Sequence, residues 1–255
     1  MDTCRLCGTA QEKFQKSHII PDFMYRDLKN SQSQILRMRM PFGKRLRHIP
    51  TGFYEKPLLC TSCEKMIGAW ESYAEKMLTR NNHFEVPKDK TAGELIRLVE
   101  DVEYKRFKLF LLSIVWRASV SNLPFFSEVF LGKEHEGRIG QMLLKDDPGE
   151  EDDYPVTLIV PEGPAGKNLS IGQPYKNKNA ANAVRYLFPI CEVIYLFHIS
   201  KHGQDDANKL TAIKKDNTMK VVFWPTSRLN AFLELYQVRK AIRMRQRGVF
   251  LDRRR

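Results

Sequence analysis

Two Cys-x-x-Cys pairs, Cys4-Arg5-Leu6-Cys7 and Cys60-Thr61-Ser62-Cys63, constrain this chain more than any other feature. Each pair turns tightly enough to present two sulfurs to one point, and two pairs complete the four-thiolate set of a tetrahedral structural Zn²⁺. Cys4, Cys7, Cys60 and Cys63 are therefore the candidate metal ligands. Behind the second pair, Met66, Trp70, Tyr73 and Met77 recur at helical spacing over residues 64–78, with Glu64, Glu71 and Glu75 on another face. A knuckle, a hairpin, then a second knuckle running into a helix is the layout of a treble clef. The fifth cysteine, Cys191, falls in a strand-like run and reads as a small buried apolar residue.

The rest of the composition sets the setting of that module. The N-terminus lacks the basic-then-apolar layout of a signal peptide, and no run approaches the roughly 18 apolar residues of a membrane span. The expected location is a reducing cytoplasm, where paired cysteines hold metal more often than they form disulfides. Net charge is +12, unevenly placed. Six basic residues and no acid lie between Leu28 and Tyr54, and Arg37, Arg39, Lys44, Arg45 and Arg47 sit between the two knuckles. Eight more fill the last nineteen residues, against Asp252 alone. Such patches attract polyanions, and nucleic acid is the expected partner.

Further along, the pattern predicts a helix from Glu94 to about Val120 and a second from Phe125 to Leu144, interrupted at Gly132. The acidic stretch from Asp146 to Asp153, with Pro148 and Gly149, reads as a solvent-exposed linker. Strands are expected at Val156–Val160, Cys191–His198 and Val221–Trp224, then an amphipathic helix from Ser227 to about Gln246. The expected class is α+β. A zinc-bound module over 1–85 precedes a helical segment over 90–147 and a mixed α+β region over 154–255 with a basic C-terminal helix.

With Ser17-His18-Ile19-Ile20-Pro21 between its knuckles and Glu64 directly after the second, the N-terminal part resembles the HNH (His-Me finger) endonucleases that carry a four-cysteine zinc. It is also similar to a set of uncharacterised bacterial proteins with Ser-His-Ile-Ile-Pro, a Cys-x-x-Cys-Glu helix and a later Trp-Arg, here Trp116-Arg117. The first resemblance covers about residues 1–80 and implies a ββα-metal-like fold and phosphodiester hydrolysis. It makes His18 the general base, and gives Glu64 the place of the residue that holds a catalytic Mg²⁺ or Mn²⁺. Glu71, seven residues on and roughly 10 Å along the helix, offers a further carboxylate. DNA is the expected substrate ahead of RNA, and defence against phage or mobile DNA the expected setting. Ser17 stands where the family has an acid, and the family's middle Asn has no match in Glu55-Lys56-Pro57-Leu58-Leu59. Two other functions share these residues. One is a non-catalytic zinc module that binds nucleic acid, with His18 simply packed; the other is an adaptor in a larger assembly, with the aromatic region Phe107–Phe130 as its interface and the arginine-rich tail as its docking segment, and the C-terminal half is a further expected place for a protein partner.

Overall fold

The computed structural model describes residues 1–28, 35–38, 47–49, 52–80, 96–162, 171–179, 182–199, 211–225, 227–229 and 231. Among them the chain is α+β. In order come β1 (Asp2–Thr3), β2 (Ala10–Gln11), β3 (Ser17–His18), a 3-10 helix (Asp22–Leu28), β4 (Ile35–Met38), β5 (Arg47–Ile49) and β6 (Tyr54–Glu55). Next are α1 (Thr61–Arg80), β7 (Ile96–Val99), α2 (Tyr104–Val120), a 3-10 turn (Pro124–Phe126) and α3 (Gly132–Leu144). The remaining strands are β8 (Val156–Pro161), β9 (Ile171–Gly172), β10 (Tyr175–Lys178), β11 (Val184–Ile190), β12 (Val193–Ile199) and β13 (Met219–Trp224).

The largest sheet has the order β10-β11-β12-β8-β13-β7, antiparallel except for the parallel β8–β13 pair. Its strands obey period 2. Leu158, Val160, Tyr186, Phe188, Tyr195, Phe197, Val221 and Phe223 join the main core, while Ile159, Leu187, Ile194 and Leu196 form a second cluster with Tyr175 and Leu229. The helix α2 is buried nearly all round, from Phe107 through Ala118. A helix apolar on every side needs neighbours on every side. The same buried cluster joins it to Ile67, Trp70 and Ala74 of α1, to Ile139 and Leu143 of α3, and to the sheet. A Cβ at Gly140 of α3 would stand 3.2 Å from Trp116 Nε1 and 3.8 Å from Leu6 Cδ1, so α2 and the first knuckle meet α3 there.

Three expectations need correction. The helix expected from Glu94 starts only at Tyr104. Residues 96–99 are instead β7, which pairs antiparallel with β13. Asp101, at φ 58°, breaks the chain between strand and helix. Ile96 and Leu98 are half exposed and Arg97 and Val99 face inward, so backbone pairing with β13, and not burial of the apolar alternation, selects that period over the helical one. The second helix begins at Gly132; Phe125 and Phe126 before it lie in the 3-10 turn, with Phe125 stacked on Phe53 at 4.1 Å. The acidic stretch is surface but docked. Asp146 accepts from Trp70 Nε1 (3.2 Å) and pairs with Lys105 (2.6 Å), while Asp153 pairs with Arg138 (2.5 Å). Glu150 and Glu151 pair with Lys215 (2.6 Å) and Lys214 (2.9 Å).

β8, β12 and β13 lie on the expected strands, although Cys191 is in the turn before β12, at φ 54°, where its thiol donates to Met24 O (2.6 Å). Of the expected C-terminal helix only 227–229 and 231 are described, and Leu229 is fully buried there. The rest of that helix and the arginine-rich tail lie outside the described residues.

Candidate metal centre and neighbouring histidine

The first knuckle is closed by the β1–β2 pair (Asp2↔Gln11, Thr3↔Ala10). Gly8 takes φ 72°, a conformation L side chains rarely adopt, and donates its N–H to Cys4 O (2.9 Å). The second knuckle is the head of α1, where Glu64 N–H returns to Cys60 O (3.0 Å). Buried Leu58 and Leu59 anchor the approach to it, and Leu58 O accepts from Arg5 N–H (2.9 Å), joining one knuckle to the other. Cys60 N–H donates to Cys4 Sγ (3.3 Å), a bond that favours a thiolate.

All four cysteine Sγ atoms lie within 4.8 Å of one another, and Cys7 Sγ and Cys60 Sγ are 3.8 Å apart. A tetrahedron with metal–sulfur bonds of about 2.3 Å has edges of about 3.8 Å, so the sulfurs are positioned to hold a metal ion and are compatible with zinc. None is in a disulfide. Burial pushes the Cys4 and Cys63 thiols up. It also opposes ionising Cys7, but the hydroxyl and amide of Thr9 outweigh it and bring that thiol down to about 6. Four sulfurs this close, three of them buried, become thiolates together only around a cation.

His18 lies beside this centre on β3, opposite Tyr54 of β6, with Ser17 opposite Glu55. Ile19 and Ile20 are fully buried and hold the strand down, while His18 itself is half-buried. Its ring meets the Tyr54 ring edge-on at 6.3 Å, and Lys16 Nζ sits 5.0 Å over Tyr54. The Ser17 hydroxyl is buried and donates to Glu64 Oε2 (2.9 Å). That contact brings the residue before the histidine against the residue after the second knuckle. Burial raises the Glu64 carboxyl above its ordinary value, Arg117 and the Ser17 hydroxyl draw it back, and Glu71 adds to the rise.

Arg117, on α2, faces the same cluster. Its Nη1 donates to His18 O, its Nε to Ser113 O (3.2 Å) and its Nη2 to Ser113 Oγ (3.1 Å). Nη2 is also 2.8 Å from Glu71 Oε1. This last is a charge contact without the alignment of a hydrogen bond, and that oxygen has no hydrogen-bond partner among the described residues. Sequence reasoning placed Arg117 in a resemblance but gave it no role. Its signal was a cation directly after the run Leu109–Trp116, apolar but for Ser113, a position charged residues occupy only when paired.

Of the expected phosphate contacts, Arg37 and Arg47 are register partners in the β4–β5 pair, and β4 runs parallel to β9. Arg39, Lys44 and Arg45 lie outside the described residues. Among the described residues no helix is long and apolar enough to cross a membrane. Comparison of the chain with protein-family models, with curated proteins and with solved structures finds no match in any of the three.

Proposed function

We propose that the N-terminal part is a zinc-stabilised treble clef of HNH type, and that the protein is a metal-dependent nuclease cutting nucleic acid, DNA ahead of RNA. The observation that carries this reading is the 2.9 Å separation of Ser17 Oγ and Glu64 Oε2. Two adjacent ligands of an octahedral Mg²⁺ with bonds of about 2.1 Å stand about 3 Å apart. The hydroxyl in the family's acidic position and the carboxylate at the head of α1 therefore suit one ion, with His18 next in the chain. Bound there, Mg²⁺ or Mn²⁺ would polarise the phosphate and stabilise the leaving oxygen.

The chain's own residues supply the rest. The neutral His18 imidazole takes a proton from water, the resulting hydroxide attacks phosphorus, and the bond to the leaving oxygen breaks. Ile19 and Ile20 fix the strand that aims the ring. Glu64 must ionise to serve; burial opposes that, while Arg117 and the Ser17 hydroxyl favour it. The basic segment between the knuckles supports a grip on phosphates.

The test is incubation of the zinc-loaded protein with duplex DNA, single-stranded DNA and RNA in Mg²⁺ or Mn²⁺, beside His18→Ala. Metal-dependent cutting by the wild type alone, with zinc content and melting temperature of the variant unchanged, is the expected result. Nucleic acid retained at low salt but cut by neither would replace this reading with a zinc-supported binding module.

A further inference from the structure

We propose that Arg117 is the positioning residue for His18, and that Glu71 is the counter-charge of Arg117 rather than a ligand of the catalytic ion. This rests on the reading of His18 as the general base.

In the β3–β6 pair the backbone ladder fixes which groups of His18 face the partner strand. Ile19 N–H donates to Phe53 O (2.7 Å), and register pairs alternate along an antiparallel ladder between bonded and non-bonded. Ser17 and Ile19 therefore carry the bonds to β6. His18, between them, turns its own N–H and C=O outward, on the side where the two-stranded sheet has no third strand among the described residues. An outward carbonyl at a buried edge needs a donor. Arg117 Nη1 supplies it, from a residue distant in sequence.

The guanidinium is committed inward. Arg117 is 1% exposed, which leaves it no route to a substrate phosphate. Two of its partners, the carbonyl and hydroxyl of Ser113, belong to its own helix one turn earlier. The partners from elsewhere are His18 O and the Glu71 carboxylate, so the side chain joins β3 to α1 through α2. The same helix end grips the other strand of the hairpin. Glu55 accepts from Ser121 Oγ (2.7 Å), Asn122 N–H (2.9 Å) and Asn122 Nδ2 (2.7 Å). Both strands that flank the imidazole are thus referenced to the C-terminal turn of α2.

Glu71 follows from Arg117. A buried guanidinium is tolerated only with an opposite charge, and Glu71 Oε1 at 2.8 Å is that charge. A divalent ion bonded to the same oxygen would stand beside the guanidinium, cation against cation. Glu64, bonded to Ser17 and acted on by Arg117 only from beyond ion-pair distance, is the carboxylate left for the ion.

The test uses the full-length, zinc-loaded protein with Arg117→Met, Arg117→Lys, Glu71→Gln and Glu64→Gln. Amide exchange at His18 and Ile19 reads the strand independently of activity, with Gly8 of the first knuckle as internal control. Arg117→Met is expected to lose about tenfold or more protection at Ile19, the loss of one charge-assisted bond, with Gly8 unchanged. In cleavage it lowers kcat by about 100-fold, as a small misplacement of a catalytic group does, while KM and the Mg²⁺ half-saturation stay put. Arg117→Lys recovers part of both losses. Glu71→Gln leaves the Mg²⁺ half-saturation where it is, and Glu64→Gln raises it.

Unchanged exchange at Ile19 in Arg117→Met overturns the positioning role. A Glu71→Gln shift in Mg²⁺ half-saturation equal to that of Glu64→Gln overturns the counter-charge role. If Arg117→Met does not fold, Arg117→Lys carries the exchange comparison, and wild-type protection in it overturns the role. If the wild type cuts nothing, the nuclease reading fails by itself, and exchange still decides whether Arg117 holds the strand.

Discussion

Stripping the metal from the reduced protein should release the N-terminal part, and the size of the effect follows from where the sulfurs sit. Cys7 and Cys60 are 53 residues apart in sequence and 3.8 Å apart in space. Cross-linking a loop of that length removes about 4 kcal/mol of denatured-chain entropy. That is a floor, since zinc in small four-ligand domains contributes roughly 10–16 kcal/mol, as much as the whole stability of many domains. For a chain of this size, 4 kcal/mol corresponds to about 8 °C in melting temperature. The assay pairs metal analysis with a thermal melt followed by tryptophan fluorescence. Trp70 and Trp116 are buried at 4% and 3% exposure, on α1 and α2, and report on this packing. One zinc per chain is expected, with protection lost first at Cys4–Gly8 and at the head of α1 on chelation. A metal-free, fully reduced protein that melts within about 2 °C of the loaded one would show that the four sulfurs hold no structural metal, because loop closure alone exceeds that.

Two further outcomes follow from single side chains. Lys108 is buried against the Tyr104 hydroxyl (2.8 Å) and the Glu150 carbonyl, and burial holds its ammonium down to about 8, against the pull of Asp153, Glu151 and Glu150. Between pH 8 and 10.5 the folded chain therefore binds fewer protons than the unfolded one, and this group makes the protein more stable as pH rises, by about 3 kcal/mol in all. Denaturant titrations at pH 7 and 10 should show that gain in the wild type and not in Lys108→Met; equal pH dependence in both sinks the assignment. Gly52 takes φ 79°, and a Cβ there would overlap the hydroxyl of Tyr25, with its Cζ 3.0 Å away. Tyr25 is 1% exposed and has no room to step aside, so Gly52→Ala should cost roughly 2–4 kcal/mol. A loss below about 1 kcal/mol in denaturant unfolding would show that the 3-10 helix yields.

Local pattern was enough for some elements and misleading for others. The α1 pattern was legible in its period: Trp70 and Met77 of the expected strip are buried and Met66 and Tyr73 half-buried beside the fully packed Ile67 and Ala74, while Lys65, Ala69 and Ser72 on the other faces are exposed. β8 and β12 were legible because they are buried on both faces and read as continuous β-branched and aromatic runs. β11 was not, since Arg185 and Pro189 interrupt its run and a central proline argues against a strand. In the sheet, β10 pairs only with Val184–Leu187, so Pro189 lies past the end of that ladder, where its missing N–H breaks no bond to β10. The polar run of β10 is a strand only because β11 offers it an edge.

The same division runs through the site. The sequence by itself determined each pair of sulfurs, because a Cys-x-x-Cys turn brings its two thiols together by local geometry, whereas the meeting of the two pairs across 53 residues is tertiary. The sequence also determined that His18 would sit between the knuckles and Glu64 at the head of a helix. What only the tertiary structure decided is how their neighbours are used. Ser17 reaches Glu64, Glu71 faces a cation, and the outward carbonyl of His18 finds Arg117 on a helix 99 residues further along. Those contacts depend on the charge and hydrogen-bonding need of groups that folding buries together. Such a need exists only once α2 is packed against both α1 and the hairpin, and no spacing along the chain encodes it.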